Sequence, residues 1–134
     1  MKKIAAIVLA AAWLAGCGQT NKGQGQTEIV TVNTAEEVID VLSTDLQLID
    51  VRTPAEYSAG HIKNATLINI QDPDFESKMD QMNKEKPVMV YCAVGGRSSR
   101  AVALIQDLGF SKVYNYKGGM KDWSASGMEM ETSQ

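Results

Sequence analysis

Short apolar runs alternate along the chain with polar segments of helical periodicity. Five of these runs have the length and the β-branched or aliphatic composition of strands, and they cover residues 29–32, 46–51, 66–70, 87–91 and 112–116. Several runs are apolar enough to be buried on both faces, as the strands of a parallel sheet are. The pattern therefore predicts an α/β fold in which a parallel five-stranded sheet is flanked by helices on both faces.

The segments between these runs contain helix signals. Residues 34–37 read Thr-Ala-Glu-Glu, which is the spacing of a capping box, and apolar residues follow them at helical intervals. A proline opens residues 54–60, where it suits the first turn of a short helix. Residues 75–82 and 98–108 also have helical periodicity, and a last short helix is predicted around Trp123. Each predicted strand is thus followed by a predicted helix.

The first 27 residues have a different pattern from the rest. Met1 is followed by two lysines and then by residues 4–14, which are apolar throughout but too few to span a bilayer as a helix. This order is typical of a signal peptide, which we place at residues 1–16. Residues 17–27 contain mostly Gln, Gly, Thr and Asn, which predicts a flexible tether. The folded domain is therefore expected to cover residues 28–134.

The end of the predicted signal peptide, Leu-Ala-Gly-Cys at residues 14–17, resembles the lipobox of bacterial lipoproteins. The resemblance implies that Cys17 becomes the first mature residue and carries diacylglycerol, with a further acyl chain such as palmitate on its amine. Several acyl chains make membrane anchoring stable. We therefore expect an extracytoplasmic protein that is anchored by lipid to a bacterial membrane. Gly18, in place of an aspartate that retains such proteins at the inner membrane, favours the outer membrane in a Gram-negative cell. The alternative is a chance cysteine in an ordinary cleavage site.

Composition and charge narrow the class of partner. The chain has 134 residues, of which 44% are hydrophobic and 22% charged, and this suits one domain with one core. Its formal charge of −3 argues against nucleic acid as a partner. Two of its three arginines, Arg97 and Arg100, follow Cys92 within eight residues. We therefore expect a local positive bias near this cysteine.

Cys92 lies where a predicted buried strand ends and a predicted helix is about to begin. In a parallel α/β sheet this edge is where ligands bind. Gly95 and Gly96 allow backbone torsions that turn N–H groups inward, and the helix N-terminus and Arg97 add positive potential. Such surroundings favour a thiolate, so we predict that Cys92 is a nucleophile. The alternative is a small buried cysteine beside glycines that serve only a tight turn.

Three ordered motifs resemble those of the rhodanese family, and together they extend from about Glu28 to the C-terminus. The first consists of DVRTPAEY at residues 50–57 and GHIKNA at residues 60–65. The second, YCAVGGRS at residues 91–98, looks like the family's active-site loop. The third, GGMKDW at residues 118–123, is similar to the closing motif. The resemblance implies a rhodanese-like fold and a sulfurtransferase activity.

The activity that this resemblance implies is a two-step cycle. Cys92 takes sulfane sulfur from a small anionic donor such as thiosulfate, or from a persulfide. The resulting persulfide passes its outer sulfur to a thiophilic acceptor such as cyanide, a thiol or another protein. Neither a metal nor an organic cofactor is implied.

The resemblance also implies roles for residues around Cys92. Arg97 would orient the donor, and Asp50 and Arg52 would support the loop by ion pairing. The backbone N–H groups that would hold the persulfide belong to Ala93, Val94, Gly95, Gly96 and Arg97. Glu56 and His61 are interpreted as structural residues, because a persulfide cycle needs no strong base once the thiol is ionised. Trp123 is interpreted as an aromatic residue of the core.

Four other functions can be compared with the same motifs. Three of them fit the motifs less well, and one fits equally well. Phosphatases and arsenate reductases with a related loop have their arginine one position later, where this chain has Ser98. A Cys-His hydrolase would have to use His61, the single histidine. An inactive binding domain is disfavoured by the presence of Cys92. A persulfide carrier that docks to a partner without turnover on small molecules stays open.

Overall fold

The structure, a computed structural model, describes residues 25–133. Strands and helices alternate within these residues. In chain order they are β1 (Glu28–Val32), α1 (Ala35–Leu42), β2 (Gln47–Asp50), α2 (Pro54–Ala59), β3 (Thr66–Leu67), α3 (Phe75–Asp80), β4 (Val88–Tyr91), α4 (Gly96–Ile105), β5 (Lys112–Tyr116) and α5 (Gly119–Ala125). The predicted order of elements is the observed one.

The strands form one five-stranded sheet in the order β1-β5-β4-β2-β3, and every neighbouring pair is parallel. The predicted fold class is therefore confirmed. All four residues of β4 are buried, because this strand lies in the middle of the sheet between β5 and β2. The residue that follows the central strand is Cys92.

Helices cover both faces of the sheet, and each face has its own apolar core. On one face α3 and α4 bury side chains that include Phe75 and Ile105. On the other face α1 and α5 bury side chains that include Val38 and Trp123. Strand residues alternate between the two cores, with Val90 on the first and Tyr91 on the second. The carboxyl ends of the strands are left for the loops that carry the site.

The third strand is shorter than predicted, because it covers Thr66–Leu67 and not residues 66–70. The N–H groups of Ile68 and Ile70 still bond to carbonyl groups at the end of β2 and just after it. The Asn69 side chain, however, accepts a hydrogen bond from the N–H of Gln71 at 3.0 Å. A side chain that bonds to the backbone two residues later makes a turn, and this turn ends the strand.

The predicted bounds of two helices are also corrected. The α4 helix begins at Gly96 and ends at Ile105, two and three residues before the predicted limits of 98 and 108. Gly95 precedes it with φ of 94°, and its carbonyl group accepts the N–H of Ser99 at 3.1 Å, so the first turn is already formed at the two glycines. The α3 helix ends at Asp80, although periodicity suggested residue 82.

The predicted signal peptide and the lipid-bearing Cys17 lie outside the described residues, as does most of the predicted tether. β1 begins at Glu28, and the N–H of this residue bonds to the carbonyl oxygen of Ser111 at 3.0 Å. In the part of the chain that the structure describes, no helix has both the length and the hydropathy to span a bilayer.

Candidate active site

Cys92 lies at the carboxyl edge of the sheet directly after β4, and 1% of its surface is exposed. Its backbone is held by α5, because its carbonyl group accepts the N–H of Met120 at 2.9 Å. The next carbonyl group, that of Ala93, accepts the N–H of Lys121 at 3.0 Å. The start of the loop is thus fixed by the third sequence motif, which lies more than 25 residues further along the chain.

Two glycines are required where the loop meets this motif. Gly119 has φ of 63°, and a Cβ there would lie 2.6 Å from the carbonyl oxygens of both Cys92 and Ala93. Gly95 has φ of 94°, and a Cβ there would lie 2.5 Å from the carbonyl oxygen of Lys117. Residues with a side chain rarely adopt such torsions. Both glycines therefore let the chain after β5 close against the Cys92 loop.

The Cys92 sulfur is hydrogen-bonded to the loop and to the first turn of α4. The Gly95 N–H donates to Sγ at 3.1 Å, and the Cys92 thiol donates to Ser98 Oγ at 3.7 Å. Burial alone would raise the pKa of the thiol, but donors from Ser98, Gly95 and Val94 outweigh burial and lower the pKa of Cys92. The site thus favours the thiolate, which is the nucleophilic form of cysteine.

Ser98 is a site residue that the sequence reasoning did not find. Its side chain is fully buried, touches the Cys92 sulfur and donates to the carbonyl oxygen of Gly95 at 3.2 Å. The sequence contains one indication of this role, because Ser98 is a small hydroxyl residue at the start of the predicted helix after the Cys92 loop. Many serines in a first helical turn have no such contact. Only the turn at Gly95 brings this hydroxyl to the sulfur.

Arg97 was predicted to orient an anionic donor, and the structure pairs it with a carboxylate. Its Nη1 and Nη2 atoms donate to Oε2 and Oε1 of Glu56, both at 2.7 Å. The Arg97 guanidinium lowers the pKa of Glu56 to about 2, against a smaller opposing effect of burial. The expected local positive bias is therefore reduced by Glu56, for which the sequence predicts only a structural role.

Asp50 and Arg52 form a second arginine–carboxylate pair at the end of β2. Arg52 Nη2 donates to Asp50 Oδ2 at 2.7 Å and Nε donates to Oδ1 at 3.0 Å. Nη2 also donates to the carbonyl oxygen of Gly60 at 2.6 Å. Both side chains are buried, with 7% exposure for Arg52 and 0% for Asp50. This pair ties the end of β2 to the loop after α2, next to the strand that carries Cys92.

His61 and Trp123 have partners of their own away from the Cys92 sulfur. The His61 ring stacks on Tyr57 with centroids 3.7 Å apart, and Nδ1 lies 2.8 Å from the Tyr57 carbonyl oxygen. The Trp123 indole N–H donates to the carbonyl oxygen of Glu129 at 2.9 Å. These contacts join α2 and α5 to the segments that follow them.

The remaining loop residues differ in how much they face solvent. Gly95 is buried and Ala93 is half-buried, whereas Gly96 is exposed. Val94 has 65% of its surface exposed, which is a larger fraction than for Ile29, Ile39 or Met130. The part of the loop that solvent reaches is therefore largely uncharged, apart from the paired Arg97.

A family model of the rhodanese-like domain matches residues 34–126, which include Cys92 and its loop. The chain belongs to the rhodanese-like domain family. This rhodanese-like domain is 40% identical over 77 residues to the uncharacterized protein YqhL of Bacillus subtilis, and the match covers 58% of the chain and 60% of that relative. The chain thus spans less than two thirds of that relative.

Two further relatives have names that state an activity. The domain is 33% identical over 84 residues to a sulfurtransferase of Allochromatium vinosum, which covers 63% of this chain and 77% of the relative. It is 28% identical over 104 residues to the thiosulfate sulfurtransferase GlpE of Vibrio cholerae, which covers 78% of this chain and 94% of GlpE.

A crystal structure of a rhodanese-like domain protein from Staphylococcus aureus is similar to the fold described above. It has a TM-score of 0.65 and 30% sequence identity, and the match covers 81% of this chain and 100% of that one.

Proposed function

We propose that the protein is a sulfurtransferase that carries sulfane sulfur on Cys92. The observation that carries the proposal is the Cys92 sulfur itself, which lies in a loop whose N–H groups and Ser98 hydroxyl favour its anionic form. A thiolate that is stabilised in this way is also a better leaving group when the carried sulfur is passed on. The relatives in the family that carry sulfurtransferase names support the same activity.

The proposed reaction balances without a redox partner. The Cys92 thiolate attacks the outer sulfur of thiosulfate, a sulfur–sulfur bond forms, and the bond to the sulfonate sulfur breaks with release of sulfite. With a persulfide donor the leaving group is instead the donor's thiolate. In the second step the acceptor, for example cyanide, attacks the outer sulfur and leaves as thiocyanate, which restores the Cys92 thiolate. The loop N–H groups from Ala93 to Arg97 are proposed to hold the persulfide anion.

A phosphatase or arsenate reductase reaction is not favoured by this geometry. Those enzymes place an arginine side chain over a tetrahedral oxyanion, at the position that Ser98 occupies here. Ser98 is buried and bonded to the loop, and Arg97 one residue earlier is bonded to Glu56. The loop therefore suits one added sulfur atom better than an oxyanion.

Mass spectrometry of the donor-treated full chain tests the proposal. We expect the wild type to gain the mass of one sulfur atom after treatment with thiosulfate or a persulfide. Cys92→Ser should gain none, because a hydroxyl cannot form a persulfide. Cys17→Ala is the matched control, since it removes the other cysteine and should still load. Loading of Cys92→Ser, or no loading of the wild type by either donor, would contradict the proposal.

A persulfide carrier that delivers sulfur to another protein is a second candidate. The observation that favours it is Val94, an apolar side chain that is 65% exposed in the loop next to Cys92. An exposed apolar group beside a reactive sulfur suits contact with a protein surface. Thiocyanate formation from thiosulfate and cyanide would support turnover on small molecules. Loading without such turnover, followed by transfer to a protein thiol, would support the carrier.

We also propose that the protein acts outside the cytoplasm, anchored to a bacterial membrane through lipid on Cys17. The lipobox-like residues 14–17 support this location, and Gly18 favours the outer membrane in a Gram-negative cell. Labelling cells with radioactive palmitate tests it. The wild type and Cys92→Ser should be labelled and sediment with membranes. Cys17→Ala should lose the label, and a variant that stayed labelled would refute the anchor.

A further inference from the structure

The Glu56 carboxylate is bound to Arg97, which lies next to the Cys92 loop. Both terminal nitrogens of Arg97 donate to the two carboxylate oxygens at 2.7 Å, which is the two-point geometry that an arginine offers to an anion. The side chains keep 30% exposure for Arg97 and 36% for Glu56, so the pair lies at the surface of the site and not in the core. An anionic donor that needs these nitrogens meets a carboxylate already bound to them.

We propose that Glu56 sets the charge preference of the site, so that Cys92 accepts sulfur more readily from persulfide donors with an uncharged organic tail than from dianionic thiosulfate. Glu56 is in this view a specificity-determining residue that acts through Arg97. The inference rests on the proposed sulfurtransferase function and names its donor class.

The Glu56 carboxylate is also held in place by Thr53. Its Oε2 atom accepts hydrogen bonds from the N–H of Thr53 at 3.1 Å and from the Thr53 hydroxyl at 2.9 Å. These contacts form the capping box that begins α2. A carboxylate with four charge-assisted or neutral donors does not swing away without leaving them unpaired. A sulfonate group that approached Arg97 would therefore compete with Glu56 and be repelled by it.

The loop side chains beside Cys92 favour a tail without charge. Ala93 is half-buried and Val94 is 65% exposed, and both are apolar. Contact with them removes apolar surface of an organic donor from water, which a small inorganic dianion cannot exploit. The favoured step is attack of the Cys92 thiolate on the outer sulfur of R–S–SH. The new sulfur–sulfur bond forms on Cys92, R–S⁻ leaves, and the proton stays on the transferred sulfur.

Single-turnover loading of the full chain tests the inference, with thiosulfate and 2-hydroxyethyl persulfide as the two donors. Glu56→Gln keeps the size and the capping oxygen but removes the charge. We expect it to speed loading by subsaturating thiosulfate by about tenfold, since one negative charge bound to Arg97 is removed. Loading by 2-hydroxyethyl persulfide should change by less than about twofold, because its tail carries no charge.

Two matched variants separate charge from structure. Glu56→Asp keeps the negative charge and disturbs the geometry, so it should retain the wild-type preference between the donors. Glu37→Gln changes the glutamate of the capping box on α1, which has no contact with Arg97, and should leave both loading rates unchanged. Repeating the assay at about 1 M salt, where the screening length is about 3 Å, removes attraction by distant lysines but not the contact with Glu56.

Alkylation of Cys92 tests the charge preference without any sulfur transfer. Iodoacetamide and iodoacetate attach to the same sulfur and differ by one negative charge. In Glu56→Gln the ratio of their rates should shift toward iodoacetate by about tenfold. If neither donor loads the wild type but this ratio shifts, the proposed function is wrong and the charge preference stands. The inference is overturned if the alkylation ratio is unchanged, or if Glu56→Gln alters both donors by the same factor.

Discussion

The two arginine–carboxylate pairs near Cys92 have the same chemistry and different surroundings. Asp50 and Arg52 are buried at the end of β2, whereas Glu56 and Arg97 keep about a third of their side chains exposed. Taking two charges out of water is costly, and a buried pair depends on each partner for compensation. A pair at the surface is screened by water and contributes little to stability. We therefore expect the buried pair to contribute to the stability of the fold. The exposed pair contributes little to stability and instead affects the charge of the site.

The largest expected effect comes from breaking the buried pair. Asp50→Asn leaves the Arg52 guanidinium buried without its counterion, although the bond to the Gly60 carbonyl oxygen remains. We expect the free energy of unfolding to fall by about 3–5 kcal/mol. Urea unfolding followed by the fluorescence of Trp123 would measure it. A loss below about 1 kcal/mol would show that burial does not distinguish the two pairs.

Removing the charge of the surface pair should cost much less. Because Glu56 is 36% exposed, solvent screening limits the loss in Glu56→Gln to about 1 kcal/mol or less. Glu37→Gln removes the matching charge from the capping box on α1 and should have a loss of similar size, about 1 kcal/mol or less. The same urea experiment compares the two variants. If Glu56→Gln lost as much free energy of unfolding as Asp50→Asn, Glu56 would serve mainly to stabilise the fold.

The smallest effect is the pH dependence of the Glu56 contribution. Its pKa is lowered from an ordinary value of 4.5 to about 2, chiefly by Arg97. A carboxyl group with a lowered pKa adds stability that is fully present above the unfolded pKa and is lost as pH falls through the folded one. The difference in stability between the wild type and Glu56→Gln should therefore shrink from about pH 5 toward pH 2. A difference that stayed constant over this range would contradict the ion pair.

Much of the fold was predictable because it depends on local patterns. The five apolar runs predicted the five strands, and their alternation with helical periodicity predicted the parallel sheet. Errors occurred where a single residue decides a boundary. Asn69 ends β3 by bonding to the backbone, and Gly95 starts α4 earlier than the apolar period suggests. Hydrophobic periodicity contains no information about either contact.

The site was predictable only in part. The position of Cys92 at the carboxyl edge, with two glycines after it, followed from the end of a strand and the start of a helix. The contacts of Ser98 with the sulfur and of Glu56 with Arg97 were not predicted. Glu56 and Arg97 are separated by 41 residues, and each belongs to a helix that looked independent of the other.

The sequence by itself determined the order of the elements, the placement of one cysteine at the edge of the sheet, and the glycines that let the loop turn. These features depend on neighbours in the chain, whose chemistry is read directly from their spacing. Only the tertiary structure determined that Arg97 is paired with the Glu56 carboxylate. Because β2 and β4 are adjacent in the sheet, the helices that follow them begin side by side, and the capping glutamate of one meets the arginine of the other.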